Sequence, residues 1–292
     1  MSHRSGPQQA HALEFDPNAL GLQKLSGYER IVSASLERVW ENVDDWEHLP
    51  WLHSESFSDL VLQDAGNWGW RALVTTRGSA RADVIELTTE KHRNRYVARA
   101  YHQHQQLSEI WTNLTVLSQR STHIKVSFHL PDSSMTGMPA DKLDRLASAY
   151  VKSYTQLWDE DEQMMMQRQS QLDQRRPDTN ANPLDLGPIE QVLAQLPLKI
   201  TFAGAPYRVI QLEGKLIAHS SICPHNLGPL EGEVESGCVT CPWHGYVYDL
   251  VSGKCTSPAG KSLKLKPPPS IRIDDPSGHV YAQRAANGEN DE

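Results

Sequence analysis

The segments CPHNLGPL at residues 223–230 and CPWHG at residues 241–245 decide how the rest of this chain is read. Each pairs one cysteine with one histidine, Cys223 with His225 and Cys241 with His244, and fifteen residues separate the two pairs. A proline follows each cysteine, and Gly228 and Gly245 follow the histidines, a composition suited to two tight loops closing over a common point. Zinc sites with the same donor count group cysteine with cysteine and histidine with histidine, so the mixed pairs argue against zinc.

Two thiolates and two neutral imidazoles divided in this way are the ligand set of a Rieske [2Fe-2S] centre, with the thiolates on one iron and the imidazoles on the other. Cys223, His225, Cys241 and His244 are therefore candidate cluster ligands, and the chemistry they imply is electron transfer. The remaining cysteines, Cys238 and Cys255, do not stand where high-potential Rieske proteins carry a disulfide, and a reducing compartment would keep them as thiols. Tyr246 occupies the position at which a high-potential protein offers a serine hydroxyl, leaving Tyr248 as a candidate donor to a cluster sulfur. Fewer such bonds predict a potential low in the Rieske range of roughly −150 to +300 mV.

At 292 residues the chain has room for two domains. Its net charge is −8 and Lys and Arg form no long run, so nothing favours nucleic acid. Residues 1–25 are polar, and no stretch approaches the roughly eighteen apolar residues of a membrane span, so a cytoplasmic protein is expected.

Residues 1–27 read as a disordered arm, 28–170 as a first domain, 171–188 as a linker, 189–284 as the cluster domain and 285–292 as an acidic tail. Within the first domain, residues 28–34 suit a strand and Leu36–Val43 a helix opened by Ser35. Six strand-like runs then lie between residues 58 and 130, and a long helix follows over 139–170. That order predicts an α+β chain: a helix-grip domain with a ligand-sized cavity, then a small all-β domain of short strands.

A second constellation lies in ENVDDWEHLPWLH at residues 41–53. Asp45 and His48 are three apart and would share a helical face, and Pro50 would interrupt that helix and let His53 swing back. Two imidazoles and one carboxylate form the facial triad of non-haem Fe(II) oxygenases, so a carboxylate is still required. Along the long helix, Leu143, Ala147, Tyr150, Tyr154, Leu157 and Met164 form an apolar stripe with Asp161 near its centre. Glu160 falls at the margin, and Asp159 and Glu162 point away. A carboxylate in a buried stripe is costly unless paired or bound to metal, which makes Asp161 the third candidate ligand. The bland alternative is a metal-free hydrophobe-binding pocket with His48 and His53 at its mouth. His102 and His104, two apart on a strand, are a weaker rival pair. Trp40, Trp46, Trp51 and Trp158 read as packing residues or, for some of them, as lining of the substrate cavity.

The cluster motif, the Asp45-to-His53 segment and WDEDEQMMMQRQ around Asp161 together resemble the Rieske non-haem iron oxygenases, most closely the demethylase-type monooxygenases. The resemblance implies a START-like (SRPBCC) catalytic domain with mononuclear Fe(II) on His48, His53 and Asp161. It further implies a homotrimer in which Asp45 bridges to His244 of a neighbouring subunit. Here, however, the helix-grip domain comes first and the cluster domain last, the reverse of the family's order. The expected reaction is hydroxylation or demethylation of a small organic substrate by O2. No Gly-rich dinucleotide fingerprint is present, so electrons would come from a separate NAD(P)H-dependent flavin reductase, with or without a ferredoxin. The other readings are a ferredoxin-type carrier fused to a docking domain, and a ligand-binding redox sensor without turnover.

Overall fold

Ser35 caps the first helix as its side chain accepts from the Arg38 amide at 3.3 Å, and Val39 and Val43 on the same helix are buried. Such matches of local sequence to local structure run through the computed structural model, which describes residues 21–174 and 182–284. The chain divides into two compact units, Met1–Met166 and Gln167–Glu292.

The first unit comprises β1 (Leu22–Val32), α1 (Leu36–Asp44), α2 (Leu49–Leu52), β2 (Phe57–Gly66), β3 (Gly69–Thr76), β4 (Ala82–Glu90), β5 (Arg95–His102), β6 (Gln105–Ser118), β7 (Ser121–Pro131), α3 (Asp132–Met135) and α4 (Ala140–Asp173). Its strands form one antiparallel sheet in the order β1-β7-β6-β5-β4-β3-β2. Trp70, Ala72 and Val74 alternate along β3 and are buried, while Arg71 between them pairs with Glu86 on the opposite face. The buried face packs with α1 and α4 into a core that includes Val32, Val39, Trp70, Val126, Phe128, Trp158 and Met165. Phe128 meets Tyr150 of α4 at a tilt and Tyr154 edge-on, at centroid distances of 5.2 and 4.9 Å. Each fully buried side chain of this size contributes about 1.5–3 kcal/mol. A sheet closed on one long helix after the strand-helix-helix entry is the helix-grip arrangement.

Several boundaries differ from the sequence expectation. β1 begins at Leu22, inside the expected arm, and pairs with β7 from Leu22 opposite Pro131. As an edge strand it leaves Gln23 and Lys24 exposed, so its composition resembles coil. Residues 1–20 lie outside the described residues. The expected linker 171–188 loses both ends, since α4 continues to Asp173 and Leu184–Pro188 forms β8; residues 175–181 and the tail 285–292 are again outside the description. Asp45 and His48 do not share a helix: Asp45 is the C-cap of α1 and His48 the N-cap of α2. Pro50 opens α2 rather than interrupting a longer helix, because its fixed φ and missing N–H suit a first turn. Trp51 is 48% exposed and so is no packing residue, whereas Trp158 is buried and Trp40 and Trp46 pack on the core.

The second unit carries β8, α5 (Ile189–Ala194), β9 (Leu198–Phe202), β10 (Ala205–Leu212), β11 (Lys215–Ser220), β12 (Val234–Glu235), β13 (Cys238–Thr240), β14 (Val247–Asp249), β15 (Cys255–Ser257), β16 (Ser270–Asp274) and β17 (His279–Gln283). They form three small sheets, β11-β10-β9, β12-β13-β14-β15 and β16-β17-β8. Ile200, Phe202, Tyr207, Val209, Ala218 and Ala282 make a core of their own. Among its described residues the end of α4, which runs on from the first unit to Asp173, and the six-residue α5 are helical, and the remaining elements are strands.

Candidate functional site

In the second unit two loops present the four Cys and His side chains, and their backbones are built alike. In the first, the Leu227 amide donates to Cys223 O (3.1 Å) and the Cys223 amide to Gly228 O (2.8 Å). In the second, the Gly245 amide donates to Cys241 O (2.9 Å) and the Cys241 amide to Tyr246 O (2.8 Å). The fifth residue of each loop is left-handed, Leu227 at φ 64° and Gly245 at φ 66°. Glycine takes that conformation freely, whereas leucine does so at a cost of about 1–2 kcal/mol.

The side chains meet as two like pairs. The Cys223 and Cys241 thiols are close enough to couple their ionisation, and the His225 and His244 rings stand 4.6 Å apart at 84°. Tyr248 Oη lies 3.2 Å from Cys223 Sγ, and Tyr246 stacks on His225 at 4.3 Å. The Cys241 contact and, after it, the Tyr248 hydroxyl overcome the cost of burial and lower the Cys223 thiol to about 6, while the same contact pushes Cys241 up. Gly228 packs so tightly that a Cβ there would stand 2.9 Å from Cys241 Sγ and from the Trp243 ring. A thiol pair beside an imidazole pair, under loops with no spare volume, fits the donor set of a Rieske cluster. Cys238 and Cys255 are free thiols.

In the first unit, α1, α2 and α4 bring His48, His53 and Asp161 together. Among the described residues these three form the group whose candidate donor atoms all lie within 4.8 Å of one another, and all three are buried. His53 Nε2 is 3.0 Å and His48 Nε2 3.5 Å from the same oxygen, Asp161 Oδ1, to which Asn42 Nδ2 also donates at 2.9 Å. On their far sides the rings face carboxylates. His53 Nδ1 is 2.6 Å from Glu160 Oε2, and His48 Nδ1 is 3.9 Å from Asp45 Oδ2, beyond hydrogen-bond range. Burial works against a charge on His53, but the Asp161 charge and hydrogen bond, with Glu160 behind, outweigh it and raise its pKa. Burial likewise opposes ionisation of Asp161, and His53, His48 and Asn42 overcome it and lower its pKa. Glu160 accepts from the His53 nitrogen that faces away from Asp161, the arrangement that fixes ring and tautomer in carboxylate-histidine-metal sites. The donor set of two imidazoles and one carboxylate fits non-haem iron.

The four consecutive acids 159–162 divide by partner. Glu160 and Asp161 serve the histidines, whereas Asp159 (2.6 Å) and Glu162 both grip Arg30 of β1, and Glu162 also accepts from the Ser33 amide at 2.6 Å. Glu160 was legible only as a marginal position on the helix, and its role depends on His53, 107 residues away. The rival pair is not one. His102 ends β5 and bonds Asp83 at 2.8 Å, while Gln103 and His104 form a turn with φ of 46° and 70°.

Comparison with known proteins bears on the second unit above all. Residues 182–267 match the family model described as Rieske [2Fe-2S] domain. The ferredoxin subunit of anthranilate 1,2-dioxygenase from Burkholderia cepacia is 33% identical over 93 residues, covering 31% of this chain and 82% of that protein. For the first unit, an aromatase/cyclase from Streptomyces sp. R1128 superposes with a TM-score of 0.40 at 10% identity, over 50% of this chain and 95% of that one. A START superfamily protein from Mycobacterium smegmatis gives 0.38 at 17% identity, over 49% and 97%. Through its second unit, the chain belongs to the Rieske [2Fe-2S] family.

Proposed function

We propose that the protein is a Rieske-type non-haem iron oxygenase whose two centres sit on its two units. Cys223, His225, Cys241 and His244 would hold the [2Fe-2S] cluster, and His48, His53 and Asp161 a mononuclear Fe(II). The observation that carries the reading is the convergence of two imidazole nitrogens on one buried carboxylate oxygen, at 3.0 and 3.5 Å. A buried acid without such a purpose is a liability. When bound, the cluster supplies single electrons and the ferrous ion supplies activation of O2.

This chain's own residues then do the positioning. Glu160 anchors the His53 ring by its Nδ1, so that Nε2 stays directed at Asp161, where it would serve as a ligand. Asn42 holds Asp161 Oδ1. Tyr96 of β5 is buried and Tyr154 of α4 packs partly buried on the same core, and desolvation above all raises both phenols, so they remain neutral donors or packing surfaces at any working pH. The substrate class is a small organic molecule, hydroxylated or demethylated. The expected partners are a separate flavin reductase, with or without a ferredoxin, and two further copies of the chain in a trimer that would bring Asp45 of one subunit to His244 of the next.

A second reading, a ferredoxin-type carrier fused to a ligand-binding domain, is favoured by the ferredoxin-subunit relative, whose name describes a carrier. Iron analysis separates the two. The oxygenase reading expects one iron per chain beyond the cluster pair, lost in His48→Ala while the Rieske EPR signal persists. Unchanged iron in that variant would leave the carrier reading.

A further inference from the structure

Residues 253–270 read GKCTSPAGKSLKLKPPPS, four lysines without a carboxylate, in a chain of net charge −8. Lys254, Lys261, Lys264 and Lys266 are all exposed. Lys254 and Lys264 face each other across an antiparallel bridge, a like-charge juxtaposition that costs stability. Among the described residues neither they nor Lys266 form an ion pair. The strip begins at the cluster loops, since Lys261 Nζ stands 5.4 Å from the Tyr246 ring centroid and Tyr246 stacks on His225. At its other end it borders a cavity of about 520 Å³ lined by Lys215, Lys264 and Lys266 against a single carboxylate, Glu213.

We propose that this lysine strip is the docking surface for the electron-donor protein, and that the donor presents a carboxylate-rich face around its own redox centre. The proposal rests on the electron-transfer half of the reading above, not on the mononuclear iron. His225, the less buried imidazole, lies beside the strip, so a partner seated on the lysines brings its redox centre toward the exposed end of the cluster. Long-range repulsion from the net negative charge does not prevent this, because at physiological salt charges are screened beyond about 8 Å and the local sign governs the final approach. The step is an outer-sphere transfer of one electron: the oxidised cluster gains it, the donor loses it, and no bond or proton is exchanged.

The test uses the full-length holoprotein and three probes. Reduced protein is oxidised with hexacyanoferrate(III) or with hexaamminecobalt(III), and oxidised protein is reduced with flavodoxin hydroquinone, an acidic flavoprotein donor. Rate constants are followed against ionic strength. Steering by the strip makes the hexacyanoferrate and flavodoxin rates fall with salt, although net charge alone would make them rise. In the K254E/K264E/K266E variant the anionic probes slow by about 10-fold or more and the cobalt cation speeds up. Rates that rise with salt for both anions, or a variant whose anion-to-cation ratio is unchanged, overturn the proposal. Visible and EPR spectra are taken first: a missing Rieske signal removes the electron-transfer reading with it, whereas an intact signal confines a failure to the docking surface.

Discussion

The cluster loops and the His48, His53 and Asp161 group are both sets of metal-type donors, yet they are built in opposite ways. Each loop carries its ligands two or three residues apart, and six residues of backbone, closed by two amide bonds, aim them. The other group joins a helix junction to a helix more than 100 residues later, and only the packed sheet between them fixes the distances. A locally built site should tolerate damage to the fold and be sensitive to its own turns. A site assembled over long range should respond to any change that shifts α4.

The largest expected effect breaks the second group alone. Asp161→Ala removes the oxygen on which both imidazoles converge, so the iron beyond the cluster falls from about one per chain to near none while the cluster spectrum is kept. Loss of the mononuclear iron and the cluster together would mean that the two sites are not independent. Next, Glu160→Gln should weaken metal binding about 10- to 100-fold, since the partner that orients His53 is lost while its ligand nitrogen remains. Titration of the iron-stripped variant measures this, and an unchanged affinity would deny Glu160 its role.

At the cluster the effects are smaller. Tyr248→Phe deletes the hydroxyl 3.2 Å from Cys223 Sγ, a bond that favours the electron-rich reduced form. The potential should drop by several tens of mV, on the order of 1 kcal/mol for a one-electron couple, as read by redox titration. The backbone comparison predicts an unequal pair. Gly245→Ala should cost about 1–2 kcal/mol in denaturant melts, whereas Leu227→Gly should cost nothing beyond its lost packing, because both positions are left-handed. Equal losses at the two would show that the loops are not alike under load.

How far the sequence could be read follows the same division. The two Cys-His pairs were legible as candidate cluster ligands because their spacing is short enough to imply a turn without any knowledge of the fold. Asp161 was legible for a different reason, as a charge set in an apolar stripe. Glu160 was not, because a helical wheel places it at an edge and says nothing about which distant ring it meets. The first six residues of β1 escaped notice because an edge strand needs few apolar residues, and the Gln103-His104 turn because it lacks the Asn or Gly that usually mark left-handed positions. The helix-grip order itself was readable, since each strand of the sheet is long and bounded by turns.

The grip of Asp159 and Glu162 on Arg30 has a mechanical meaning. A helix lying in a concave sheet has two easy motions, spinning about its axis and sliding along it, and either would carry Asp161 away from the imidazoles. One guanidinium held at two points away from Asp161 opposes both. Arg30 therefore works as an index pin, and replacing it with glutamine should loosen metal retention from a distance, with every donor atom still present.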